Sequence, residues 1–414
     1  MLLVVLVLAS IEAMSAIPRV FAMDFYHPWG MLVTRSALHS NPYARVDDHS
    51  AYLNRVVESS SSPLLRRANA ARRRIEPTGT PFFYAAFAFL PADFDVALAI
   101  FLTGQYAALL LATAMLAKAA GSRGWIGLGW GVVAAVAYSP FVNDVQSGNV
   151  NAYQLLGVAT FAYVSAARDR VPAWIFRDGL PALLAALLMF KPNTFWILVF
   201  LAAHFALANP PGTLRRACVV GSLTALACAI AGSLYFDGPR AWIDWARYVQ
   251  GMNGGRLLYR MAEGNHSIVM FLSEAWRMSV MDAEVLMTAL VVAVFALAAM
   301  RGGVRAAALR ARQALADPLF AASCGVVFML ATSPLVWLHY NTFVLVPLAW
   351  LLAGRAGRTG RALAAIACVM LAKPVIDWIF PEHGAVAYMM MLFAWVPVAA
   401  ALHVAMAAAK PARS

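Results

Sequence analysis

Long apolar runs separated by short polar breaks dominate the chain. The runs cover roughly 1–18, 92–117, 125–142, 149–166, 179–190, 194–208, 217–236, 282–300, 317–333, 341–354, 362–379 and 386–408. A helix that crosses a bilayer needs about 20 mostly apolar residues, so the pattern predicts about twelve membrane segments, two of them short. The short pair, 179–190 and 194–208, is split by Lys191-Pro192-Asn193. Proline removes a backbone donor and favours a break. The pair therefore reads as a helical hairpin or a broken span with Lys191 at its tip. The expected fold is an all-α polytopic membrane protein, one domain over residues 1–414.

Composition agrees. The chain is 62% hydrophobic and 13% charged, whereas ordinary globular domains are about 45–50% apolar and about 25% charged. The net charge of +12 does not call for nucleic acid. Basic residues accumulate in the cytoplasmic loops of membrane proteins, and no aromatic-basic RNA-binding motif is present. Cys218, Cys228, Cys324 and Cys368 lie far apart in apolar segments and read as small core hydrophobes. The stretch from Met1 to Ile17 lacks the basic n-region of a signal peptide and reads as a retained first span.

The basic residues also orient the chain. Alternating sides from a cytoplasmic start places half of the 32 lysines and arginines inside, among them Lys118, Arg123, Arg168, Arg215, Arg216, Arg310 and Arg358. The same alternation places Asp24, Lys191, Asn265 and His339 outside, provided the Lys191 hairpin counts as two passes. Two long outer loops with helical segments are expected, at about 19–82 and about 237–281. The first carries Arg66, Arg67, Arg72, Arg73 and Arg74, and long loops translocate largely regardless of such charge. The run Ser59-Ser60-Ser61-Ser62-Pro63 reads as a flexible linker.

Polar clusters at the outer ends of the runs carry the candidate chemistry, because such groups are costly near lipid and often functional. Asp24 sits beside Phe25, Tyr26, His27 and Trp29. It reads either as a general base, its pKa raised by partial burial, or as a loop acid in an aromatic belt. His339 follows Trp337 and a kink at Pro334, and can donate to a phosphate, shuttle a proton, or rest at the interface. Lys191 reads as a phosphate partner or a snorkelling cation. Asn265 and Ser267 offer hydrogen bonds, and Gly148-Asn149-Val150-Asn151 forms a polar turn that opens a span. The arginines at 66–74 face either a phosphate or lipid headgroups. There is no Walker loop, HExxH helix or Gly-x-Ser-x-Gly elbow.

Taken in order, these clusters resemble glycosyltransferase family 87, the polyprenol-phosphate-mannose-dependent α-mannosyltransferases of the GT-C membrane fold. The matching features are Asp24 after the first span with Asn41-Pro42-Tyr43 downstream, Pro81-Phe82-Phe83-Tyr84, and Lys191-Pro192. Asn265-His266-Ser267 and Ser333-Pro334 through Trp337 and His339 complete the set. Two positions depart from the family pattern. Asn149 stands in a Gly-Gln-x-Asn turn, and Tyr340 stands where a second His is usual.

The resemblance implies a lipid-linked sugar donor, a glycolipid or cell-envelope glycan acceptor, and an active site on the outer face of a bacterial cytoplasmic membrane. On that basis Asp24 and His339 are the catalytic candidates, and Lys191, Arg66 and Arg67 the donor-phosphate ligands. Tyr26, His27, Asn149, Asn151, Asn265, Ser267, Trp337 and Tyr340 are the expected substrate contacts. Many GT-C enzymes pair acids around a metal, and the lone Asp24 favours chemistry without a metal or other cofactor. Two rivals remain at this level. A transporter or flippase of lipid-linked glycans would place charges at mid-bilayer. An O-antigen ligase or polymerase would place its key residues in a large late loop.

Overall fold

The computed structural model describes residues 2–72, 74–251, 265–300, 304–379, 390–391 and 393–408. The parts of the second long loop at 252–264, of the 362–379 and 386–408 region at 380–389, and Arg73 lie outside the described residues. The described residues are 80% helix, with no strand among them.

A helix falls on each apolar run, although few are full-length spans. Among the described residues, three helices are long and apolar enough to cross a membrane: Phe94–Ala119, Pro211–Tyr235 and Val280–Leu297. A fourth crossing exists if Arg305–Leu315 and Pro318–Thr332, bent by 103° at their junction, count as one. Other apolar helices, such as Gly124–Ala137 and Trp395–Ala407, are shorter. The breaks have local causes. Tyr138, extended at φ −94° and ψ 103°, separates the Gly124–Ala137 helix from Ser139–Ser147, which opens with Pro140 in its first turn, where the missing N–H costs nothing. The residue before a proline avoids helical geometry, and Lys191 does so at φ −155° and ψ 112°, which ends the Leu180–Phe190 helix ahead of Pro192.

The outward faces are apolar. On the Leu2–Ala16 helix, Val5, Ala9 and Ala13 are buried at helical spacing, while Leu3, Val7, Ile11 and Met14 are exposed. Val219, Leu223, Leu226, Ile230 and Leu234 form the same kind of exposed stripe on the Pro211–Tyr235 helix. Contiguous apolar surface on this scale marks contact with lipid or protein, and the chain is a membrane-type helical protein. Small residues set the interior distances. A Cβ on Gly325 would lie 2.5 Å from Cα of Ile197, so glycine lets the Pro318–Thr332 and Phe195–Ala208 helices touch by their backbones.

The first long loop is not irregular. It folds into the helices Tyr26–Leu38, Val46–Ser59, Pro63–Ala71 and Pro81–Ala86. The serine run is a fixed turn and not a flexible linker. Ser62 Oγ accepts from the backbone N–H of Leu65 at 3.0 Å, capping the next helix, and donates to Asp95 at 2.6 Å. Thr80 likewise caps Pro81–Ala86 through Phe83 N–H at 3.0 Å. Its hydroxyl donates to the carbonyl of Met189 at 2.5 Å, one of the carbonyls left unpaired at a helix C-terminus. That contact sets this layer against the break at Lys191.

Candidate active site

Backbone contacts assemble the site from four distant segments. The N–H groups of Phe21 and Ala22 donate to Gln146 O at 2.8 and 3.0 Å, and Asp24 N–H donates to Ser147 O at 2.7 Å. The last carbonyls of the Ser139–Ser147 helix are thereby satisfied by the segment that carries Asp24. Gly148 then turns the chain at φ +72°, a left-handed conformation suited to glycine. A Cβ there would meet Cβ of Phe25 at 2.6 Å. The turn delivers Asn149 to Asp24. His339 arrives on the 3₁₀ helix Leu338–Val344, and Lys191 on the broken hairpin.

Asn149 joins the other three. Its Nδ2 donates to Asp24 Oδ2 at 2.8 Å and faces His339 Nε2 at 3.1 Å, while its Oδ1 accepts from Lys191 Nζ at 3.2 Å. The same Oδ1 takes the N–H of Val150 at 2.7 Å. An ammonium and a backbone N–H can only donate, so the amide oxygen must face them. The amide nitrogen then faces His339, and Nε2 accepts. The imidazole proton is placed on Nδ1, which points at Asn143 Oδ1 at 3.4 Å. The lone pair of His339 is therefore occupied by an amide, whereas Asp24 accepts from that amide on Oδ2 and lines a cavity.

The electrostatics follow from burial. Desolvation works to raise the Asp24 carboxyl, but His339, Asn149, His27 and Arg72 hold it below its usual range. Burial pushes the His339 imidazole down to about 3, against the pull of Asp24. Burial also lowers the Lys191 ammonium, opposed by the carboxylates of Asp24 and Asp144.

The cavity measures about 420 Å³, and its walls include Asp24, His27, Arg72, Glu76, Asn149, Lys191, Asn193, Trp337 and Tyr340. Lys191 Nζ lies 6.0 Å from the centre of the Tyr340 ring. His27 accepts the N–H of Glu76 on Nδ1 at 3.1 Å, which leaves its proton on Nε2. A second cavity, of about 440 Å³ beside Trp130 and Ala349, is apolar and holds none of these groups. Among the described residues no group of three or more His, Cys, Asp and Glu is placed to hold a metal ion.

The remaining expected site residues are placed as follows. Arg66 is exposed and donates to Ser61 O at 3.1 Å. Arg67 donates to Pro18 O and Val20 O at 2.8 and 3.2 Å. Neither lines the cavity; Arg72 does, paired with Glu76 at 3.7 Å. Tyr26 is buried against Asn69, its hydroxyl donating to Oδ1 at 2.7 Å. Asn265 accepts from Val336 N–H at 3.0 Å and donates to Pro334 O at 2.9 Å, and Ser267 Oγ donates to Ser333 O at 2.5 Å. Both brace the segment that carries Trp337 and His339, from behind the cavity wall. Asn151 is also behind it, donating to His339 O at 3.2 Å and to Asp144 Oδ1 at 3.0 Å.

Asp144, Gln105 and Glu76 were not among the expected site residues, and Arg72 was covered only as part of the 66–74 arginine run. Asp144 had a signal, since it sits in the short break between the 125–142 and 149–166 runs, where an acid close to lipid is expensive unless it has work to do.

No curated protein and no solved structure matches the chain. The sequence model of glycosyltransferase family 87 matches residues 77–334, more than half of it. The match contains Asn149, Lys191, Asn265 and Ser267, and the fold brings Asp24 and His339, which flank it in sequence, into contact with Asn149. The chain belongs to glycosyltransferase family 87 and is a glycosyltransferase.

Proposed function

We propose that the protein transfers a hexose, mannose in our reading, from a polyprenyl phosphate to a hydroxyl of a glycolipid or cell-envelope glycan. The proposed setting is the outer face of a bacterial cytoplasmic membrane, in a GT-C fold of about twelve membrane segments. The observation that carries this reading is the Asn149 amide, which holds a carboxylate and a half-buried ammonium on one cavity.

In the reaction, the acceptor oxygen forms a bond to the anomeric carbon as the bond from that carbon to the phosphate oxygen breaks. Asp24 takes the hydroxyl proton, and the electron pair leaves on the polyprenyl phosphate. Lys191 sits where that charge collects, and Arg72 lines the same cavity. A fixed cation at a developing charge needs no reorganisation, which is where electrostatic stabilisation is largest. His339 accepts from Asn149 and so sets the amide that aims Asp24, leaving Asp24 as the base. No metal enters this scheme, because one carboxylate and one ammonium suffice for the proton and the charge.

The test is transfer by membranes containing the full chain. With radiolabelled polyprenyl-phosphate mannose, label should enter the glycolipid or glycan fraction. Transfer from a nucleotide sugar but not from the polyprenyl donor would overturn the donor assignment.

A further inference from the structure

We propose that Asp144 is a positioning residue for this transfer: it holds Asn149, the partner of Lys191, in register with His339. The inference rests on the transfer reading above. Asp144 is fully buried, yet its side chain is not part of the cavity wall. Its Oδ1 accepts from Asn151 Nδ2 at 3.0 Å, and its Oδ2 accepts from Ala152 N–H at 3.2 Å and from Gln105 Nε2 at 3.4 Å. Its backbone carbonyl accepts the N–H of Asn149 at 2.9 Å.

Two active-site segments are therefore tied to one acid. Asn151 spends one amide hydrogen on Asp144 and donates at 3.2 Å to the carbonyl of His339. Gln105, from the middle of the Phe94–Ala119 helix, bonds both Asp144 and the carbonyl of Asn149. A carboxylate can accept from three donors at once, which an amide in its place cannot do without turning a donor toward a donor.

The amide that Asp144 seats also meets the ammonium: Lys191 Nζ donates to Asn149 Oδ1 at 3.2 Å, and the N–H of Asn149 donates to Asp144 O at 2.9 Å. Burial favours loss of the Lys191 proton, and the carboxylates of Asp24 and Asp144 oppose it. The other groups that act on Lys191 and Asp144 are His339, Tyr153 and Tyr340. Burial pushes Asp144 up to about 7, so its charge grows as pH rises through neutral.

The test is a titration that needs no substrate. Trace acylation of Lys191 in the full-length protein is followed against pH by peptide mass spectrometry, with Lys118 as the internal reference. Asp144→Asn should move the Lys191 midpoint to lower pH and leave Lys118 unmoved. It should also lower kcat for mannosyl transfer by about 10²-fold, the scale of a small misplacement of reacting groups. Asp144→Glu, which keeps the charge, should restore the midpoint. An Asp144→Asn protein with the wild-type Lys191 midpoint overturns the proposal. If that variant does not fold, Asn151→Ala decides: it should lower kcat with the Lys191 midpoint unchanged, and wild-type kcat overturns the proposal. A wild-type protein that transfers nothing counts against the transfer reading, while the titration still decides the role of Asp144.

Discussion

Asn149 Nδ2 donates to Asp24 Oδ2 at 2.8 Å across 125 residues of sequence. The same side chain accepts from Lys191. One amide therefore couples the proposed proton acceptor to the proposed phosphate ligand. Asn149→Ala should damage both functions together, raising the donor KM and lowering kcat. Steady-state kinetics in membranes check this. A loss confined to one parameter would mean that the amide serves only one of its partners.

Lys191 is expected to act on donor binding. A hydrogen bond to a charged group contributes about 1.5–3 kcal/mol, so Lys191→Ala should raise the donor KM by roughly 10- to 100-fold. The pH dependence has a definite sign. Burial depresses the ammonium pKa, and the protonated form binds phosphate. Donor affinity should therefore fall as pH rises through a midpoint below the usual lysine range. Lys191→Arg, which stays charged, should hold its affinity into more alkaline solution. An alkaline limb that Lys191→Arg leaves in place would assign that limb to another group.

His339 is expected to orient and not to take a proton. Its Nε2 accepts from Asn149, and the amide oxygen of a glutamine can do the same. His339→Gln should lose about tenfold in kcat and keep the pH profile of the wild type, because a neutral ring contributes no titration in the working range. A His339→Gln protein that loses as much turnover as a variant at Asp24 would return His339 to the proton-transfer step.

Gly148 is the hinge of the Asn149 turn. At φ +72°, with a Cβ due to meet Phe25 at 2.6 Å, alanine suffers both strain and collision. Strain of this kind costs about 1–3 kcal/mol. Gly148→Ala should lower the thermal midpoint in detergent and reduce turnover by displacing Asn149. A variant with wild-type turnover would show that the turn tolerates the shift.

Much of the helical layout was legible from the apolar runs, because burial in lipid or protein writes long stretches of one character. Asp24, Lys191 and His339 stood out because each breaks that character at the end of a run. Other features were hidden by the same logic. Gln105 lies inside an apolar run, where one polar residue scarcely changes the pattern, and Asp144 lies in a short break whose composition also describes an ordinary turn, so only the fold shows them bonded to each other. Arg72 could not be told from Arg66 and Arg67 in a basic run, since the turn of a helix decides which guanidinium meets the cavity. Asn265 and Ser267 were visible as a motif, but a motif does not say whether it faces a substrate or braces the segment behind one. The serine run looked flexible by composition, and a single cap to Leu65 with a bond to Asp95 fixes it.

The most direct measurement is turnover of Asp24→Asn beside the wild type, in membranes holding equal amounts of folded protein and saturated with radiolabelled polyprenyl-phosphate mannose. Asparagine keeps the shape of the side chain and a hydrogen-bonding oxygen, but it cannot accept the proton. General-base catalysis contributes roughly 10²–10⁴-fold, so Asp24→Asn should bind donor with wild-type affinity and lose turnover on that scale. Near-normal turnover in the Asp24→Asn protein would contradict the role of Asp24 as the base.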